Sequence, residues 1–262
     1  MGRRALAAAA ISLIGLPLHA DPVRVRFREG LVHGFLALRT LDGKTIADGD
    51  LYQTPRGNTV TSRLVFRFRD GSHQEETAVF TQGSEFRLVS DHLVQKGPAF
   101  PRALDMRVDA GGHVVVRYTD DEGKEKVEEE QMELPPDVAN GMVLTLLKNL
   151  PADGPPIEVG MVVPTPKPRL VTLQISRGGV DRFRIGSSGR RATRYVVDVH
   201  IGGVTGAMAH VLGKDPPDTQ VWILGGEAPA FIRSEGPMFA DGPVWRIDLV
   251  SPVFTSVAPI KR

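Results

Sequence analysis

The sequence predicts a mainly β protein, an antiparallel meander forming an open or partly closed barrel around one apolar helix. Three observations predict it. Glycine and proline are frequent, 28 and 20 of 262 residues, and many of the glycines sit in turn-forming pairs. The segments between those pairs alternate apolar and polar residues, the period of a strand with one buried face. One stretch abandons that period for a helical stripe.

The elements follow in chain order. Residues 1–20 read as a secretory signal peptide, with Arg3 and Arg4 as a basic start, Ala5 to Leu18 as the apolar body, and cleavage after Ala20. That body is shorter than the roughly 20 apolar residues a membrane span needs, and no second apolar run follows. No transmembrane span is expected after cleavage, and the location implied is periplasmic or secreted. Cleavage removes two arginines from 32 Lys+Arg against 31 Asp+Glu, so a net charge of +1 becomes −1. That balance argues against nucleic-acid binding through bulk positive charge. The absence of cysteine excludes disulfides, a thiolate nucleophile and a lipidated cysteine anchor.

From residue 21 onward a single β-rich domain is expected. Asp42-Gly43, Arg56-Gly57-Asn58, Asp70-Gly71, Gln82-Gly83-Ser84, Gly111-Gly112 and Glu122-Gly123 mark reversals. Between them, Val60, Leu64, Phe66 and Phe68 face one way while Thr59, Thr61, Arg63, Arg67 and Arg69 face the other. Val114, Val116 and Tyr118 oppose Arg117 in the same manner. Asp137 to Leu150 then carries apolar residues at 138, 139, 142, 143, 146, 147 and 150, a wide helical stripe with Asp137 as N-cap and Pro151 as stop. The segment 151–169 holds six prolines and reads as a connector. Beyond it the alternation resumes. Val171, Leu173 and Ile175 oppose Thr172 and Gln174, and Tyr195, Val197, Val199 and Ile201 oppose Asp198 and His200. Further strands are expected around Val221–Leu224 and Val244–Leu249.

No motif carries catalysis. In Ser90-Asp91-His92 the serine and histidine share a strand face and Asp91 points away, so adjacent positions cannot form a triad. His73 with Glu75, and Asp198 with His200, pair on strand faces but lack the third and fourth ligands of a metal site. The acidic run Asp120 to Glu130 lacks calcium-loop spacing and reads as a charged hairpin guarding an edge strand. Gly202-Gly203-Val204-Thr205-Gly206 misses both phosphate-loop patterns, because Ile201 and Met208 occupy positions that need glycine. The apolar loop 201–212 is then either a crossover packed on the sheet or a lid or partner-facing patch. No catalytic residue, metal or cofactor is expected.

The strings Ala192-Thr193-Arg194-Tyr195, Val221-Trp222-Ile223-Leu224, Ala230-Phe231-Ile232-Arg233 and Trp245-Arg246-Ile247-Asp248-Leu249 carry a resemblance. With the leader, the one-sided strands and the helix, the chain resembles exported bacterial proteins of unknown function with the open β-barrel of the lipoprotein-carrier (LolA/LolB) type. The resemblance covers about a quarter of the chain. It implies an incomplete barrel whose concave face holds an apolar group, and it implies no catalytic residues. The function expected is non-catalytic binding of an apolar or amphipathic envelope component such as a lipid, with Phe66, Phe68, Met142, Leu146, Met208, Trp222, Phe231 and Trp245 as ligand-binding residues. The alternatives are an interaction module that meets another envelope protein, and an enzyme whose site is assembled from distant strands.

Overall fold

Turn glycines fall where strands reverse. Gly43, Gly57, Gly71, Gly112 and Gly123 all adopt the positive φ that the sequence pairs require. The computed structural model describes residues 22–164, 167–200, 217–251 and 255–256. The expected leader and the 201–212 loop, Met208 included, lie outside the described residues.

Eight strands run as a meander: β1 (Val32–Thr40), β2 (Thr45–Arg56), β3 (Thr59–Phe68), β4 (His73–Gln82), β5 (Phe86–Lys96), β6 (Leu104–Asp109), β7 (His113–Thr119) and β8 (Glu125–Gln131). A short helix, α1 (Val143–Asn149), follows. Next come β9 (Ile157–Val163), β10 (Arg169–Ile185), β11 (Ser188–His200), β12 (Thr219–Leu224), β13 (Ala230–Gly236), β14 (Trp245–Leu249) and β15 (Thr255–Ser256). All belong to one antiparallel sheet of order β15-β10-β11-β12-β13-β14-β1-β2-β3-β4-β5-β6-β7-β8, with β9 also paired to β10. The β1–β14 ladder, Leu36 opposite Leu249 through Thr40 opposite Trp245, joins the two halves of the chain. The expected mainly β, open-barrel architecture is the one observed.

Register sorts the side chains. One row across the inner face reads Leu51, Leu64, Glu76, Leu93, Met106 and Val116. The next reads Gln53, Ser62, Ala78, Asp91, Val108 and Val114. Most of this face packs into a single core with Val138, Ala139, Met142, Leu146 and Leu147. At one end of the barrel, Phe68, Phe100, Phe239 and Trp245 stack edge to face or tilted at 5.4 to 6.0 Å, a geometry favoured by the ring quadrupoles. The outer face carries ion pairs, among them the bidentate Arg63–Glu75 at 2.7 and 2.9 Å.

Two expectations need correction. The helix does not span 137–150, since Gly141 at φ +62 breaks the stripe and only Val143–Asn149 is helical. Met142, not Asp137, is the N-cap. The apolar residues before it are still buried, which is why the stripe looked continuous. The C-terminal stop before Pro151 holds, with Leu150 extended at ψ 141. The connector 151–169 is not structureless either. Ile157, Val159 and Val162 within it build β9, which pairs with β10 from Ile157 opposite Ile175 to Val163 opposite Arg169.

The hydrogen-bond ladder leaves β8 and β9 as separate edges, and the segment 132–142 lies at the seam between them. The Ala139 N–H donates to the Gly160 carbonyl at 2.8 Å. The Asn140 side chain donates to the Val162 carbonyl at 2.8 Å and accepts from its N–H at 2.9 Å, reproducing a strand partner for that edge. Lys167 and Glu130, at 3.7 Å, form an ion pair across the seam.

Candidate functional site, a cavity at the mouth of the barrel

The barrel end opposite the aromatic cluster is crossed by residues 22–30. Backbone bonds from Val25 to Ser84 and from Phe86 to Val23 set this strap against the β4–β5 turn. Asn149 at the end of α1 accepts from the N–H groups of Arg26 and Phe27 at 2.9 and 2.7 Å. Gln82, almost wholly buried, accepts from the Glu29 N–H at 2.6 Å and donates to its carbonyl at 3.1 Å. Lys148 and Glu29 then form a buried ion pair with Nζ–Oε2 at 2.7 Å, which ties helix to strap a third time.

Between the strap, α1 and the inner faces of β1, β2, β13 and β14 lies a cavity of about 520 Å³. Its apolar lining is Leu36, Leu51, Phe231 and Leu249, with Phe27 and Val32 from the strap side, and Gln53 and the Glu29–Lys148 pair add polar surface. Small residues keep the space open. Gly34 faces Leu51 and Leu249 on the cavity wall, whereas Gly49, in the core, makes room for the Phe66 ring, which a Cβ there would approach to 2.5 Å. Arg26, Arg28 and Glu227 stand at the rim. The volume falls within the range of small-molecule sites, and apolar walls with a few polar groups at one side suit an amphipathic ligand.

Of the expected ligand-binding residues, Phe231 lines this cavity. Phe66, Met142 and Leu146 are buried in the main core instead, and Phe68 and Trp245 belong to the aromatic cluster at the far end. Trp222 stands on the opposite sheet face in a second small cluster with Phe183, Ala192 and Ile232, its indole N–H donating to Asp181 at 2.7 Å. Alternation explains this, since Val221 and Ile223 take the inward positions on β12. The strap was missed because Arg26, Phe27, Arg28 and Glu29 show neither strand nor helix period. Its anchors are polar side chains distant in sequence.

The histidines that the sequence singles out sit in ion pairs on the outer face. His73 pairs with Glu75 at 3.4 Å, His200 with Asp198 at 3.2 Å and His92 with Asp105 at 3.0 Å. Asp91 turns inward, away from Ser90 and His92. Among the described residues no group of three or more His, Cys, Asp and Glu side chains could hold a metal ion. No helix among them is long and apolar enough to cross a membrane.

One inner pair stands apart. Glu76 on β4 and Asp91 on β5 are diagonal neighbours on the lumen face. Both Asp91 carboxyl oxygens are buried without a hydrogen-bond partner, the nearby His92 N–H exerting only a minor downward pull on its pKa. Glu76 lies deep among protein atoms yet keeps some surface toward the lumen. Burial pushes its pKa up to about 7. Burial first, and the neighbouring Glu76 second, raise Asp91 well above the usual carboxylate range.

No protein family, curated protein or solved structure matches the chain.

Proposed function

We propose that this is a non-catalytic binding protein for an apolar or amphipathic molecule of the cell envelope, held in the mouth cavity. The observation that carries the reading is the cavity itself, about 520 Å³ with apolar walls beneath a rim bearing Arg26 and Arg28. A hydrocarbon portion would lie against Leu36, Leu51, Phe231 and Leu249, and a polar head would meet the rim. Export through the 1–20 leader and kinship with the lipoprotein-carrier barrels belong to the same proposal. The interaction-module alternative drew on residues 201–212, which lie outside the described residues, and no described feature favours it over the cavity.

The test is binding of a dansyl-labelled fatty acid to the purified mature chain. Wild type should saturate with a blue-shifted emission, and Leu51→Trp or Phe231→Trp, which fill the space, should weaken binding by roughly tenfold, the effect of about 1.4 kcal/mol. Equal binding by wild type and both filled variants, each shown to be folded, would place the probe elsewhere and sink the reading.

A further inference from the structure

We propose that Glu76 and Asp91 share one proton and act as a latch on the seam. With that proton in place the 137–142 segment rests on β4 and β5 and covers the join between β8 and β9. Its loss releases the segment. The inference is independent of any ligand in the mouth cavity.

Three observations carry it. The first is position. The point where a Gly141 Cβ would sit is 2.5 Å from the Ala78 Cβ, 2.8 Å from Asp91 Oδ1 and 3.6 Å from the Glu76 carboxyl carbon, so the segment touches both acids at one bare backbone position. The second is isolation. Among the described residues, Glu76 is the charge that acts on Asp91, and neither buried Asp91 oxygen is paired, the adjacent His92 N–H exerting only a small pull. Two carboxylates side by side in an apolar wall repel and are poorly solvated, whereas one proton between them gives an O–H···O bond that supplies the missing partner. The third is linkage. The residues that carry Gly141 also provide Ala139 and Asn140, whose three hydrogen bonds hold the free edge of β9.

The surroundings contain little that could offset a second negative charge. The inner neighbours by register are Ser62, Leu64, Leu93, Met106 and Val108, none of them titratable. On the covering elements the charged groups are Asp137, a further acid, and Lys148, which is engaged with Glu29. The acids of β8 on the same face, Glu128 and Glu130, are three strands away from β5. When the shared proton leaves for lumen water, it leaves two carboxylates facing each other beneath Gly141. Glu76 ionises first, at about 7, and its charge then helps hold Asp91 well above the usual carboxylate range, so the shared proton leaves at a pH above 7.

Hydrogen exchange on the full mature chain tests the latch, with rates corrected for the intrinsic pH dependence of exchange. Between pH 7 and 9.5 the Ala139 and Val162 amides of wild type should open more readily by roughly tenfold or more, since each unit of pKa displacement is a factor of ten in the opening equilibrium. In Glu76→Gln and in Asp91→Asn that pH response should vanish while amides of the β10–β11 hairpin behave as in wild type. An unchanged wild-type seam, or the same response in both variants, would overturn the proposal. So would tight binding of calcium or magnesium that is lost in Glu76→Gln, because the pair would then be a cation site. Should either variant fail to fold, infrared spectroscopy of the wild type replaces it. A protonated carboxyl band present at pH 7 and absent at pH 9.5 supports the latch, and its absence at both refutes it.

Discussion

Glu76 shows how one side chain sets a pH response. Its carboxyl has an ordinary value of 4.5 in the unfolded chain and about 7 in the folded one. Below the lower value both states are protonated and the group has no influence. As pH rises through the window the unfolded chain ionises first, so stability falls with pH and then levels above the folded value. The thermal midpoint of wild type should therefore decline between about pH 4.5 and 7, and Glu76→Gln should flatten that slope. Gly49 makes a second residue-scale prediction. A methyl there meets the Phe66 ring, and Gly49→Ala should cost about 1–3 kcal/mol in urea denaturation through overpacking. The parity of Val60, Leu64, Phe66 and Phe68 was legible because apolar and charged residues alternate there. The inward acids were not. On β4 both parities are polar from His73 to Thr77, and a bulge between Val79 and Phe80 shifts the β5 register beside Asp91.

Elements differ in how far local pattern determines them. The hairpins of β1 to β8 follow from turn glycines and two-residue periodicity, which act over a few positions. The helix was overextended because burial of Val138 and Ala139 mimics a helical stripe while Gly141 takes a left-handed φ. The strap is defined wholly by distant partners. Asn149→Ala should remove two acceptor bonds and expose the Arg26 and Phe27 amides, costing about 1–3 kcal/mol. Limited proteolysis should then cut at Arg26 or Arg28 well before the rest of the chain. Lys148→Ala leaves Glu29 buried and unpaired, and its cost of about 3–5 kcal/mol should exceed that of the double variant with Glu29→Gln. A thermal-melt comparison of the single and double variants measures that ordering.

At the scale of the whole molecule, architecture was readable and the site was not. One-sided strands imply a curved sheet with an interior, but the place where the interior stays unfilled depends on which ends the loops cover. Here the 97–103 and 237–244 loops bring Phe100 and Phe239 over one end, whereas the strap leaves space at the other. The ladder between β1 and β14 has a consequence in time. Leu36 meets Leu249, so a ribosome must deliver the chain through β14 before the first strand acquires its second neighbour. The meander β1 to β8 can zip locally, yet β1 waits with an open edge, and closing so long a loop is entropically slow. Refolding from urea should therefore show a fast phase for the meander and a slower one reported by Trp245 fluorescence. Chains ending before residue 245 should aggregate through the unclaimed side of β1, a hazard built into any sheet whose first strand is completed by one so distant in sequence.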